Sequence, residues 1–102
     1  MNVEWSKIKI GDTATFAVDI TDNMVLDFVK MTGDDNPLHT DESFAQAKGF
    51  PKKVVHGMFL ASLFSRLVGK YFLGDNNFYL AQNMEFKKPV LAGENVMVAG
   101  MV

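Results

Sequence analysis

The chain has 102 residues, 48% of them hydrophobic and 22% charged, and 10 Lys+Arg against 12 Asp+Glu leave a net charge of −2. That is one domain's worth of sequence, read as a single domain over 1–102, and it excludes a multidomain machine and a disordered chain. No basic excess exists to neutralise phosphates, so no nucleic-acid partner is expected, and the absence of cysteine removes disulfides, thiolate catalysis and Cys-based zinc sites.

Residues 1–10 carry Glu4, Lys7 and Lys9 and no apolar core, so no signal peptide is expected. The longest uncharged run, Val54 to Ser65, has twelve residues with His56 taken as neutral, short of the about 20 needed to span a bilayer. The expectation is a cytoplasmic protein with no membrane partner.

Thr13 to Ile20 alternates, with Ala14, Phe16, Val18 and Ile20 on one side, and predicts a half-buried strand after a Gly11-Asp12 turn. Thr21 has the chemistry of an N-cap. Met24, Val25, Phe28 and Val29 give helical spacing, and Gly33 supplies a stop. Pro37 is expected to end any helix and to hold Asn36 extended. A short helix is predicted over 41–48, capped by Thr40 and closed by Gly49. A long helix should run from Gly57 to just before Gly74 with apolar residues on most faces, hence wrapped rather than merely docked. Residues 74–77 carry turn chemistry. Phe78 to Lys87 alternates as a strand, Ala92-Gly93-Glu94 turns, and Asn95 to Val102 begins another strand. The order predicts an α+β domain, one buried helix against an antiparallel sheet.

The chain has two histidines, His39 and His56. Taken singly, Asp34-Asp35-Asn36-Pro37 reads as a plain turn with a surface histidine beside it, and His56 as a capping or packing residue. Two histidines and scattered carboxylates offer no metal-ligand spacing, so neither a metal nor another cofactor is expected. Together the residues are more informative. Asp34 and His39 flank a rigid Asn-Pro pair, and such a pair can take one proton and deliver another. Gly57 opens a helix whose first N–H groups are free, and a glycine there lets a ligand approach. An amide so placed, aided by the helix dipole, stabilises a developing oxyanion. These are the requirements for adding water across an α,β-unsaturated thioester.

The run Phe28-Val-Lys-Met-Thr-Gly-Asp34-Asp-Asn-Pro-Leu-His39, with Ala45 six residues on, closely resembles the signature of MaoC-like (R)-specific enoyl-CoA hydratases. Val55-His-Gly-Met-Phe-Leu-Ala-Ser-Leu-Phe-Ser65 resembles that family's central helix, and Tyr79 to Val90 the strand after it. Met31 departs from the smaller aliphatic residues usual at its position. The resemblance implies a hot-dog fold, an antiparallel sheet wrapped around one long helix. It also implies Asp34 and His39 as the catalytic pair, and Gly57 as the amide that binds the thioester carbonyl. Ser65 is implied as a site-lining serine, with small-residue packing on the helix as the other reading. Asn36 and His56 complete the substrate-binding set, Asn36 chiefly by ordering its loop. The implied substrate is an acyl-CoA or acyl-ACP thioester, and the implied working form a homodimer.

Hot-dog hydratases have five main strands, and the last two have no counterpart here, so the reading is a domain incomplete at its C-terminus. In the family's sheet order the strand from Asn95 pairs with Thr13–Ile20, while Phe78–Lys87 is left without a neighbour. Two alternatives stand beside the hydratase: a 3-hydroxyacyl-ACP dehydratase of the same superfamily, and a catalytically incomplete acyl-binding or assembly module.

Overall fold

The computed structural model describes residues 5–72 and 77–102. After a 3-10 turn at Trp5–Lys7 come β1 (Thr13–Asp19), α1 (Asp22–Thr32), α2 (Pro37–Thr40), α3 (Glu42–Ala47), α4 (Gly57–Arg66) and β2 (Asn95–Met101). A π-helical segment, Leu67–Phe72, continues α4. The expected turn at 74–77 lies almost wholly outside the described residues.

β1 and β2 form an antiparallel pair in which Thr13 faces Met101, Phe16 faces Val98 and Asp19 faces Asn95. Pairing continues past both ends. Val102 exchanges bonds of 2.9 Å with Gly11 and Asp12, and Ile20 exchanges bonds with Gly93 and Glu94. The alternation of β1 puts Phe16 and Ile20 inside. Phe16, Val98 and Leu67 make one buried cluster between the sheet and the π-helical segment. Ile20, Val25, Val55 and Phe59 make another, which fastens α1 and the start of α4 to the strand ends. Gly100 marks a close approach: a Cβ there would stand 2.5 Å from Leu67 Cδ2.

The α1 boundaries follow the sequence chemistry. Thr21 accepts from the Met24 N–H at 3.2 Å, and Gly33 ends the helix at φ 77, a conformation in which glycine has no Cβ penalty. Pro37 departs from expectation by starting a helical turn rather than ending one. Its missing N–H is one that a first-turn residue would leave unbonded anyway. The cap of α3 also moves by one residue. Asp41, not Thr40, accepts from the Phe44 N–H, because Thr40 belongs to the α2 turn and its hydroxyl folds back on the Asp35 and Asn36 carbonyls.

The antiparallel sheet on one central helix is as expected, and two details of it differ. Residues 78–87 form no strand and make no ladder bonds. The side-chain alternation is present, but a strand needs a neighbouring backbone to bond to, and β1 and β2 already pair with each other. Phe78 and Leu80 are 84% and 85% exposed. The central helix is likewise covered on one side only. Phe59, Ala61 and Leu67 are buried, while Met58 and Phe64 face outward, because two strands cannot curl around a helix.

Candidate active site

The site begins at the end of α1, where short side-chain-to-backbone bonds build the loop. The Thr32 hydroxyl donates to the Phe28 carbonyl at 2.7 Å and accepts from the Asp34 N–H at 3.2 Å. The Asp34 carboxylate accepts from the Asn36 N–H at 3.3 Å. Asn36 Oδ1 accepts from the Leu38 N–H at 3.0 Å and so caps α2. Asp and Asn favour such bonds to backbone two residues on, which is why Asp34-Asp35-Asn36-Pro37 folds into a turn with one defined course.

α2 then carries His39 inward. Its Nδ1 meets the Val54 carbonyl at 2.6 Å. The carbonyl can only accept, so Nδ1 carries a proton, and in the neutral ring Nε2 is left with a lone pair. Val54 is itself held in place. It forms an antiparallel bridge to Leu91, its N–H donates to the Leu38 carbonyl, and the Val55 N–H donates to the Val90 carbonyl at 2.8 Å. Beside it, Lys53 reaches Asp22 at the start of α1 at 2.9 Å.

His56 precedes α4 and is 2% exposed. Its ring stacks on His39 with centroids 3.8 Å apart and planes at 24°, and Phe28 packs within 4.8 Å of it. His56 Nε2 lies 3.0 Å from the Asp34 backbone carbonyl and donates to it. Its Nδ1 is buried with no hydrogen-bond partner. The side chain does not cap α4, which corrects the capping reading. So little exposed surface leaves the ring enclosed by its neighbours.

A carboxylate oxygen of Asp34 and one ring nitrogen each of His39 and His56 lie within 4.8 Å of one another. The membership is that of a three-ligand cation site, but the geometry is not. An ion bound by both imidazoles must lie in both ring planes. Planes inclined by 24° and stacked at 3.8 Å do not meet within the about 2 Å of a metal–nitrogen bond.

His39 and Gly57 line one cavity of about 310 Å³, together with Val54, Leu60, Phe86 and Lys88. Gly57 is the first residue of α4, so its N–H has no carbonyl one turn back to bond. The Phe86 ring crosses it so closely that a Cβ would meet the ring at 3.1 Å. Asn36 is exposed and bonded within its own turn. Ser65 is not brought to the pair. It lines a separate cavity of about 480 Å³ with Met58, Tyr79 and Met84, eight residues and about 12 Å of helix axis beyond Gly57. Sequence reasoning missed Thr32 and the Val54 carbonyl. Thr32 stands directly before the Gly33 stop, where a hydroxyl commonly bonds local backbone. A backbone carbonyl leaves no signal in a sequence.

An antiparallel sheet packed on a central helix, with an aspartate and a histidine close together and the histidine sharing a cavity with the helix's first glycine, is the arrangement of the hot-dog class of folds. The chain belongs to the MaoC like domain family, whose model matches residues 7–102. It is 39% identical over 89 residues to the (R)-specific enoyl-CoA hydratase of Aeromonas caviae, covering 87% of this chain and 66% of that protein. It is also 39% identical over 90 residues to the mitochondrial 3-hydroxyacyl-[acyl-carrier-protein] dehydratase FERN of Solanum lycopersicum, covering 88% of this chain and 53% of that one. The solved (R)-hydratase from A. caviae involved in PHA biosynthesis superposes with a TM-score of 0.87 at 38% identity, over 91% of this chain and 70% of that one. The unliganded R-hydratase PhaJ1 of Pseudomonas aeruginosa gives 0.89 at 28% identity, over 96% and 63%. The chain therefore spans between about half and two thirds of the curated relatives it matches.

Proposed function

We propose that this protein reversibly hydrates trans-2-enoyl-CoA to (R)-3-hydroxyacyl-CoA, with Asp34 and His39 as the catalytic pair. The observation that carries the reading is the Asp34–His39 cluster next to the cavity shared by His39 and the Gly57 amide. The water oxygen bonds to the β carbon while the π electrons of the double bond move toward the thioester carbonyl. One member of the pair takes the water's proton, and the other delivers a proton to the α carbon. Over a turnover the pair neither gains nor loses a proton, and its close spacing lets the proton pass back. The Gly57 N–H, at the positive end of the α4 dipole, receives the charge that develops on the carbonyl oxygen. The (R) stereochemistry is supported by the likeness to (R)-specific relatives.

A second reading, dehydration of 3-hydroxyacyl-ACP, is supported by the equal identity to a carrier-protein dehydratase. The site chemistry is the same, and only the carrier differs. The working form is a homodimer in the cytoplasm. The dimer is supported by the outward-facing Phe78, Leu80, Met97 and Met101, large apolar side chains of the kind a partner surface covers. The cytoplasm is supported by the lack of cysteine. Among the described residues no helix is long and apolar enough to cross a membrane.

The test is a spectrophotometric hydration assay with crotonyl-CoA, repeated with crotonyl-ACP. Asp34→Asn and His39→Gln should each lose about 10²- to 10⁴-fold in rate, the range of a general acid–base group, with unchanged circular dichroism. Asp35→Asn is the control and should be mild. Losses of only a few-fold in folded variants refute the pair, and light scattering that finds an active monomer refutes the dimer.

A further inference from the structure

His56 is the one buried polar residue among the described residues, and the hydration chemistry above does not use it. It makes three contacts. Its Nε2–H donates to the Asp34 backbone carbonyl at 3.0 Å. One ring face lies on His39 at 3.8 Å between centroids. Phe28 packs within 4.8 Å of the ring as well, and Phe28 also supplies the carbonyl that holds Thr32, whose hydroxyl holds the Asp34 N–H. The peptide units on both sides of the Asp34 side chain are thus fixed, one through Thr32 and the other through His56.

The remaining nitrogen, Nδ1, is buried and unpartnered. An apolar ring would fill the same space between Phe28 and His39 without stranding a polar atom, so packing alone gives no reason for histidine here. What histidine adds is the Nε2–H donor. With Nε2 protonated, Nδ1 holds a lone pair, which is less costly to leave unpartnered than a donor.

We propose that His56 is a positioning residue for this site. Its Nε2–H fixes the Asp34 peptide while its ring supports His39, and together these set the spacing of the Asp34 carboxylate and the His39 imidazole. The assignment rests on the hydratase reading above. Small misplacements of reacting groups cost large rate factors, about 10²-fold for an ångström. A residue that holds both partners should therefore act on turnover and not on substrate affinity.

The test uses the full-length protein. His56→Phe keeps an aromatic ring in the stack and removes the donor. The expected result is a kcat for crotonyl-CoA hydration lowered tenfold or more, a KM within twofold, and a melting temperature that does not fall. A merely structural histidine would move the melting temperature and leave kcat per folded enzyme alone. Because His56 acts through Asp34, adding His56→Phe to Asp34→Asn should cost less than twofold more. A folded His56→Phe variant within twofold of the normal kcat overturns the proposal, as does an undiminished loss in the Asp34→Asn background.

Long-range nitrogen–proton NMR of the unaltered protein supplies a measurement that no folding defect can obscure, and with two histidines the assignment is direct. His56 should show a protonated Nε2 and an unprotonated Nδ1, and a proton resident on Nδ1 instead overturns the proposal. Full activity in Asp34→Asn would overturn the hydratase reading. An inactive Asp34→Asn with an unimpaired His56→Phe overturns this inference alone.

Discussion

Gly100→Ala tests how tightly the central helix is seated on the sheet. The new methyl would stand 2.5 Å from Leu67 Cδ2 and 3.1 Å from the Phe72 ring, against about 3.5–4.0 Å for unstrained carbon contacts. Leu67 cannot step aside cheaply, because it is 3% exposed and packed with Phe16 and Val98. Overpacking of this kind costs roughly 1–3 kcal/mol. Exchanging glycine for alanine within a strand returns about 0.5–1 kcal/mol of chain entropy. The net loss is on the order of 1–2 kcal/mol, and at about 4–8 °C per kcal/mol for a domain of this size the melting temperature should fall by roughly 4–16 °C. The assay is reversible unfolding followed by circular dichroism, run as a cycle with Leu67→Ala. Leu67→Ala alone should cost about 2–5 kcal/mol. The two changes together should cost clearly less than their sum, because the added methyl enters the space that leucine vacates. Additivity within about 0.5 kcal/mol would mean that the two residues do not share this contact, and the seating of the helix described above would be wrong. Gly69→Ala, which meets nothing within 4 Å, is the matched control and should not destabilise.

Three further outcomes can be checked with the same assays. Asn36→Ala removes the cap on α2 and should cost about 0.5–2 kcal/mol of local stability, visible as faster amide exchange at 38–40 and a lower kcat with unchanged global melting. Gly57→Ala keeps the backbone N–H but puts a methyl against the exposed and yielding Phe86 ring, so stability should change by less than about 0.5 kcal/mol while hydration falls at least tenfold, and unaltered activity would show that the substrate makes no close approach at the Gly57 Cα. Ser65→Ala lies in the second cavity and should leave crotonyl-CoA turnover within twofold, with any effect confined to longer acyl chains.

What the sequence disclosed, and what it withheld, divides along the distance over which the determining contacts act. Thr21, Gly33 and the alternation of Thr13 to Ile20 are local signals, and each element appears where its residues put it. The pairing of β2 with β1 followed from the resemblance, since alternation alone says which face a residue takes and never which neighbour its strand finds. The same limit explains 78–87, whose pattern is that of a strand but whose backbone has no partner. Thr40 and Asp41 are adjacent residues of similar capping chemistry, and only the Pro37 turn, which draws Thr40 back, decides between them. Asp34, His39 and Gly57 were legible as a set because their residue types are unusual together. The bond from His39 to Val54 and the stack of His39 on His56 were not, because each joins residues more than a dozen positions apart.

That division also governs the order in which the site is assembled. The bonds of the Asp34 loop join residues two to four apart, so they close almost no loop and can flicker in and out on the timescale of local chain motion. The two imidazole bonds span 15 and 22 residues and need the turn at 50–56 brought against 90–92 first. The turn before His39 therefore exists in outline before the rest of the site, and the histidines arrive as its lock. During gentle heating or mild denaturant the lock should open ahead of the sheet, because neither closure draws on the β1–β2 ladder. Activity should then disappear while the far-ultraviolet signal is still intact. The protein would stop working as a catalyst before it stopped being folded.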